Sequence, residues 1–102
     1  MLIVRVFKGN SIRFNIEYKD LNGLPAVPTT PFFRVYDSRY EQVHSEPVNI
    51  NNILLDDQQQ PIVGGYYMDY TFEDSSTFVV EFSGVFEGNT TLTRQKLKVV
   101  FI

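Results

Sequence analysis

The stretch from Pro61 to Phe72, P-I-V-G-G-Y-Y-M-D-Y-T-F, constrains the fold of this chain more than any other. After a Gly64-Gly65 turn signal, every second residue has a large side chain: Tyr66, Met68, Tyr70 and Phe72. This period of two is typical of a β-strand with one face in a core. Four large side chains on one face need a broad apolar surface to pack against, and the rest of the chain must supply it.

The length and composition favour a single small β domain. The chain has 102 residues, which predicts one domain, residues 1–102, large enough for its own core. Aromatic residues make up 15% of the chain, and aromatic side chains favour strands. The absence of cysteine excludes disulfides and thiolate metal sites, and the single histidine excludes a site with two imidazoles.

Charge and hydropathy bear on partners and location. A net charge of −3 makes non-specific binding to nucleic acid unfavourable. The N-terminal residues lack the basic segment and long apolar run of a signal peptide, and no apolar stretch is long enough to span a membrane. We therefore expect a protein made in the cytoplasm, with neither nucleic acid nor a membrane as a partner.

The remaining alternation predicts seven or eight short strands and no helix. The predicted strands are residues 2–7, 11–18, 32–37, 42–48, 49–57, 66–72, 77–83 and 92–102. The alternation of residues 49–57 is weak, and one helical turn is the alternative there. Three prolines in residues 24–31 predict an extended loop or a blunted edge there. Short strands separated by frequent turn signals indicate an all-β fold, an antiparallel immunoglobulin-like β-sandwich of about seven strands.

The inward phases of these strands predict a core between two sheets. Its members are Phe14, Ile16, Phe33, Val35, Tyr66, Met68, Tyr70, Phe78, Val80, Phe82, Leu97 and Val99. The period-two pattern places Tyr67 and Asp69 on the opposite face of their strand.

A hairpin is predicted near the end of the chain. Residues 77–83 and 92–98 should pair antiparallel across a loop of residues 84–91. Equal arms place Glu81 opposite Arg94 as an exposed pair on the outer face. The same arms place the polar Gln95 opposite Val80 on the inner face, so a β-bulge is predicted near residues 94–96.

Two acidic loops are candidate cation sites. Asp20-x-Asn22-Gly23 resembles the opening of a calcium loop, but the glycine comes too early and no closing glutamate follows at the required distance. Asp56 and Asp57 could hold a hard cation with help from loop carbonyls. Turns between strands explain both segments more simply, and we expect no metal or cofactor.

Catalysis is not expected either. Glycoside hydrolysis needs two carboxyl groups across a cleft, and the carboxyl groups of residues 69–87 fall on outward phases or in loops. They are Asp69, Glu73, Asp74, Glu81 and Glu87. His44 lies alone between Val43 and Ser45, which predicts an exposed residue of an edge strand rather than part of a catalytic triad.

Three tyrosines fall outside the core pattern. Tyr36, Tyr40 and Tyr67 are candidates for a platform on which a sugar or a base stacks. Packing at the core and edges is the simpler explanation for most aromatic residues of the chain.

Turn and core positions along nearly the whole chain carry a family resemblance. They are Gly9, Ser11, Phe14, Ile16, Asp20, Gly23, Pro25, Phe33, Val35, Tyr36, Asp37, Gly65, Tyr66, Tyr67, Tyr70, Phe78, Val80, Phe82, Ser83, Gly84, Gly88, Arg94, Leu97 and Val99. This pattern resembles small immunoglobulin-like proteins of tailed-bacteriophage virions. It is similar also to the N-terminal domain of phage baseplate upper proteins.

The resemblance implies a non-catalytic structural or accessory protein of the virion, in the capsid decoration, the neck or the tail. Its partners would be other virion structural proteins, and it would occur in several copies within a symmetric assembly. A carbohydrate- or ligand-binding module and a cytoplasmic inhibitor or adaptor remain as alternatives.

A partner-binding surface is predicted at the first and last strands, because both ends of the chain are apolar on both faces. A sandwich uses one face of each strand for its own core, which leaves over Ile3, Phe7, Val100 and Ile102. If the first and last strands lie side by side, these four residues form one patch, rimmed by Arg5, Lys96 and Lys98. A contiguous apolar patch of this kind usually marks a protein contact.

Overall fold

Alternating segments become eight strands in the computed structural model, which describes residues 1–102. The strands are β1 (Leu2–Val6), β2 (Ile12–Glu17), β3 (Thr29–Tyr36), β4 (Gln42–Pro47), β5 (Ile53–Leu55), β6 (Pro61–Tyr70), β7 (Thr77–Phe86) and β8 (Asn89–Phe101). They form a five-stranded sheet of order β1-β8-β7-β3-β4 and a three-stranded sheet of order β2-β6-β5. No helix is long and apolar enough to cross a membrane.

The first and last strands lie side by side, as predicted, but they run parallel. Leu2 is opposite Leu97 and Val6 is opposite Phe101, whereas the other ladders are antiparallel. The prediction of an entirely antiparallel sandwich is therefore wrong at this pair. No hairpin joins β1 to β8, because β1 leads into β2 of the other sheet, so turn geometry does not fix their relative direction.

The core lies between the two sheets and follows the predicted inward phases. All the predicted core residues are buried except Tyr70, which is partly buried and packs against the cluster. Phe33 is fully buried, and its ring centroid lies 5.1 Å from that of Phe82 and 6.0 Å from that of Phe14. Aromatic contacts of this kind, within the five-stranded sheet to Phe82 and across the sandwich to Phe14, account for much of the high aromatic content.

Strand β6 begins before the predicted turn, because Gly64 lies inside it. Gly64 has φ of 74°, and a Cβ there would contact the carbonyl oxygen of Ala26 and lie 2.9 Å from that of Tyr18. The glycine thus permits a close approach between backbones rather than a reversal of the chain. The strand ends at Tyr70, and Phe72 is buried beyond it.

Strands β7 and β8 form the predicted hairpin, with Glu81 opposite Arg94. The ladder runs without interruption from Thr77↔Lys98 to Phe86↔Asn89, so both the predicted loop over residues 84–91 and the predicted bulge are wrong. Only Glu87 and Gly88 connect the strands, both with positive φ, as a tight hairpin turn requires.

The remaining departures are at strand ends. β3 starts at Thr29, within the segment predicted as a proline-rich loop, and its register with β7 shifts between Thr29 and Phe32. A bulge of this kind accommodates Pro31 in a strand. The weakly alternating residues 49–57 contribute only the three-residue β5.

Candidate functional site

The four residues predicted to bind a partner lie along the pair β1 and β8. Ile3 and Val100 occupy the outer face of the ladder, since their neighbours Val4 and Val99 point to the core. The Ile102 N–H donates to the Val6 carbonyl, which continues the pairing to the end of the chain. Ile3, Phe7 and Ile102 are 50%, 61% and 63% exposed, and Val100 is partly buried. We refer to these four residues as the β1–β8 patch.

Cations lie within the β1–β8 patch rather than around it. Lys98 is opposite Ile3, and Arg5 is opposite Val100. Lys96 follows on the same face, beside Val79 of β7. The patch is therefore a mixed surface of apolar side chains and positive charge, and the expectation of an apolar centre with a basic rim is wrong.

A second candidate site lies on the same outer face, at the centre of the five-stranded sheet. Tyr36, Tyr40, Val79 and Arg94 line a recess of about 170 Å³, which we call the tyrosine recess. Tyr36 lies in β3, Val79 in β7 and Arg94 in β8. Tyr40 lies in the turn between β3 and β4 and has φ of 60°. The structure thus brings together two of the three tyrosines that sequence analysis singled out.

Glu81 lies beside the tyrosine recess and is buried, contrary to the prediction of an exposed pair. Its side chain is only 3% exposed. Glu81 Oε2 accepts a 2.7 Å hydrogen bond from Arg94 Nε, and Oε1 lies 3.4 Å from Arg34 Nη1. The Tyr36 hydroxyl is 3.5 Å from the same Oε1. Long side chains from both neighbouring strands cover the carboxylate, which a period-two pattern does not reveal.

Two guanidinium groups beside the recess, those of Arg34 and Arg94, share the single carboxylate of Glu81. The hydrogen bond to Glu81 raises the pKa of the Arg94 guanidinium above its ordinary value. Arg34 Nη1 also donates a 2.9 Å hydrogen bond to Ser83 Oγ, and its guanidinium carbon lies 4.9 Å from the centre of the Phe32 ring. The guanidinium groups are consequently held in place, which suits them to present a fixed surface.

Tyr67, the third candidate tyrosine, lies away from the recess on the three-stranded sheet. Its ring is covered by Arg13, whose guanidinium carbon lies 3.8 Å from the ring centroid. Arg13 also makes two hydrogen bonds to Asp69, at 2.9 and 3.0 Å. These bonds lower the pKa of Asp69, since they stabilise its charged form. Tyr67 is thus occupied by a neighbouring side chain.

His44 is half-buried rather than exposed. It is opposite Val35 in the β3–β4 ladder, and its ring lies 4.9 Å from Tyr70 and 6.2 Å from Phe33. Nε2 is 3.1 Å from Glu46 Oε1, without the alignment of a hydrogen bond. The His44 ring therefore packs against Phe33 and Tyr70.

The acidic loops form turns. Oδ1 of Asp20 accepts hydrogen bonds from the N–H groups of Asn22 and Leu24, and Oδ1 of Asp56 accepts them from Gln58 and Gln60. These are Asx turns, in which the carboxylate satisfies its own loop. The structure contains no group of three or more His, Asp or Glu side chains that could hold a metal ion.

Comparisons of the chain with protein-family models, with curated proteins and with solved structures gave no match. Functional interpretation therefore depends on the geometry of the outer face of the five-stranded sheet.

Proposed function

We propose that this protein is a non-catalytic structural or accessory component of a tailed-bacteriophage virion, acting through protein–protein contacts. Its place would be in the capsid decoration, the neck or the tail, among several copies in a symmetric assembly. The observation that carries the proposal is the β1–β8 patch. Ile3 lies on the outer face of the paired strands, and Phe7 and Ile102, the residues that follow β1 and β8, are exposed as well. Apolar side chains grouped in this way favour burial against a neighbouring protein.

The proposal includes an immunoglobulin-like layout. Immunoglobulin domains set the second, fifth and fourth strands in one sheet and the third, sixth and seventh in the other. Here β2, β6 and β5 form one sheet, and β3, β7 and β8 are consecutive in the other. With β4 placed beside β3, this order supports the resemblance to immunoglobulin-like virion proteins.

Virion contacts also suit the character of the patch. Arg5, Lys96 and Lys98 have no ion-pair partner within the chain, although the chain as a whole has a net charge of −3. Charges of one sign on a contact surface steer association and fix its register. The expected neighbours therefore present apolar side chains together with acidic ones.

The test is a double substitution, Val100→Glu with Ile102→Glu. It is introduced into the phage that encodes this protein, and the particles are collected from infected cells. Leu55→Glu with Val63→Glu is the matched control, because these two residues are exposed apolar residues of the other sheet. Both variants should melt close to the parent, since neither pair belongs to the core. We expect particles purified on a density gradient to lack the first variant and to contain the control. A folded first variant present in particles at the parent level would exclude the β1–β8 patch as the contact surface, and absence of the parent protein from purified particles would exclude this function.

The tyrosine recess supports a second candidate function, the binding of a carbohydrate or other small ligand. The specific observation is that Tyr36 and Tyr40 converge with Arg94 around one recess, as in sites where rings stack and a guanidinium binds oxygen atoms. NMR titration with neutral and acidic oligosaccharides tests it. Shifts that Tyr40→Ala abolishes and Tyr67→Ala preserves would favour a ligand-binding module, and an absence of shifts would eliminate this alternative.

A further inference from the structure

Strand β8 is longer than the strand that covers its outer edge. It spans Asn89–Phe101, but β1 pairs only with the part from Leu97 to Phe101. Along its first half, β8 has β7 on one side and no strand on the other. A free edge of this length is unusual, because proteins normally shorten, cover or bulge such edges.

The backbone groups of this free edge can be identified from two hydrogen bonds. The Val99 N–H donates to Ser76, next to β7, while the Ile102 N–H donates to Val6 of β1. Successive residues of a strand direct their hydrogen-bonding groups to opposite sides. The even-numbered residues Leu92, Arg94 and Lys96 therefore direct their N–H groups towards the open side.

A cleft of about 190 Å³ opens between the two sheets beside this edge. Thr93 and Gln95 of β8 line the cleft, and they lie on the same face of β8 as the buried Leu97 and Val99. The apolar lining comes from Leu2, Val4, Ile12, Phe14, Val80 and Phe82. The cleft thus lies where the inward side chains of one more strand would pack.

The charges on the outer face of this edge indicate which side chains an added strand would have on that face. Arg94, Lys96 and Lys98 share the outer phase of β8, and only Arg94 is paired, with Glu81. Opposite charges directly across a ladder are favourable, and like charges are unfavourable. A second copy pairing through the same edge would set cations against cations, so the edge disfavours self-association.

We propose that an extended segment of a partner protein adds to the sheet beside residues 90–96 of β8. Its inward side chains are apolar and fill the cleft, and its outward side chains are acidic and face Lys96. This inference rests on the proposed function, because it specifies how one of the contacting proteins binds. The mode is β-strand addition, in which main-chain hydrogen bonds give affinity and alternate side chains give specificity.

The probe is a synthetic peptide of about nine residues, the length of an ordinary strand, with valine alternating with aspartate. One control peptide has lysine in place of aspartate. A second control is N-methylated at every other residue, which removes the donors of one edge. Calorimetry should show binding of the first peptide and none of the N-methylated one. On binding, amide exchange of Leu92 and Arg94 should slow.

Variants of the protein localise the binding. Leu92→Pro removes an N–H that faces the open side and leaves the β7 ladder intact, and Leu92→Ala is its control. Losing one such hydrogen bond should weaken peptide binding about tenfold. Gln95→Trp should fill the cleft and prevent binding, while Lys96→Glu should reverse the preference from the aspartate to the lysine peptide.

The outcomes separate this inference from the proposed function. Absence of binding up to about 1 mM peptide, or binding unaffected by both Leu92→Pro and Gln95→Trp, overturns the inference. A dimer in sedimentation that Leu92→Pro dissociates also overturns it, because the occupant is then a second copy. Incorporation of Gln95→Trp into particles at the parent level, together with exclusion of the Val100→Glu, Ile102→Glu variant, would refute strand addition and leave the proposed function standing.

Discussion

Arg94 Nε donates a 2.7 Å hydrogen bond to Glu81 Oε2 from the position directly opposite in the β7–β8 ladder. The carboxylate is almost wholly buried, whereas the arginine side chain is 58% exposed. The pair therefore joins a buried negative charge, on Glu81, to a solvent-exposed positive charge, on Arg94. Its contribution should differ from that of an ordinary surface pair.

Arg94→Ala should lower the free energy of unfolding by about 1–3 kcal/mol, because it leaves Glu81 buried with fewer donors. Arg13→Ala is the comparison, since Arg13 and Asp69 are both well exposed, and it should cost about 1 kcal/mol or less. Urea unfolding of both variants measures the difference. Equal costs would show that burial of Glu81 has no energetic consequence.

Gly64→Ala should be more destabilising than Gly23→Ala. Both glycines have positive φ, but only Gly64 is packed against the backbone of Ala26 and Tyr18. At residue 23 the methyl group costs only the backbone strain of a positive φ, about 1–2 kcal/mol of stability. At residue 64 it also collides with neighbouring backbone, so β6 must move. Thermal unfolding monitored by circular dichroism should show the larger loss at residue 64, and similar melting temperatures would refute the close approach.

Phe82→Ala should cost about 3–5 kcal/mol, which is much of the stability of a small domain. Phe82 is buried against Phe33, whereas Phe7, the control, is exposed. Phe7→Ala should change the unfolding free energy by about 0.5 kcal/mol or less, as surface substitutions usually do. A small effect at residue 82 would contradict the packing of β7 against the second sheet.

Alkaline pH should destabilise the protein through Tyr18. Its hydroxyl donates a 2.8 Å hydrogen bond to the Ser83 carbonyl, and burial raises the pKa of Tyr18 above its ordinary value of about 10. The folded state thus holds the proton more tightly than the unfolded state. The resulting stability is complete below pH about 10 and is lost as the pH rises towards the folded-state pKa.

The comparison for this prediction is Tyr18→Phe, which cannot ionise. Near neutral pH it should be less stable than the parent by about 1 kcal/mol, the net value of one hydrogen bond. The difference should shrink as unfolding is measured at increasingly alkaline pH. A constant difference across that range would show that Tyr18 does not titrate between the two states.

Sequence patterns predicted the strands whose two faces differ. β2 and β6 alternate cleanly, and their buried side chains follow the predicted phase. β7 is different because it is the central strand of the five, with Val79 and Glu81 buried on its outer face as well. In the sequence, the only local indication that side chains cover the outer face of β7 was the apolar Val79 at an outward position.

Glycine signals were the main source of wrong boundaries. Gly84 indicated a loop, yet it lies within β7, where a Cβ would be 2.6 Å from Pro28 Cβ. A turn and a close approach both require glycine, and only the three-dimensional neighbours distinguish them. The exposure of Ile3, Phe7 and Ile102 could be predicted from leftover apolar phases, whereas the tyrosine recess depends on a turn conformation at Tyr40 that alternation does not encode.

The parallel pairing of β1 with β8 determines how the fold would bear a pulling force. The N-terminus lies beside the middle of β8 and the C-terminus beside the far end of β1. Tension applied between the two ends therefore acts along these strands and loads the hydrogen bonds from Leu2 to Val6 together, in shear. An antiparallel pair pulled from one end would instead open one bond at a time. Single-molecule stretching would then show a high rupture force, and Val4→Pro would lower it.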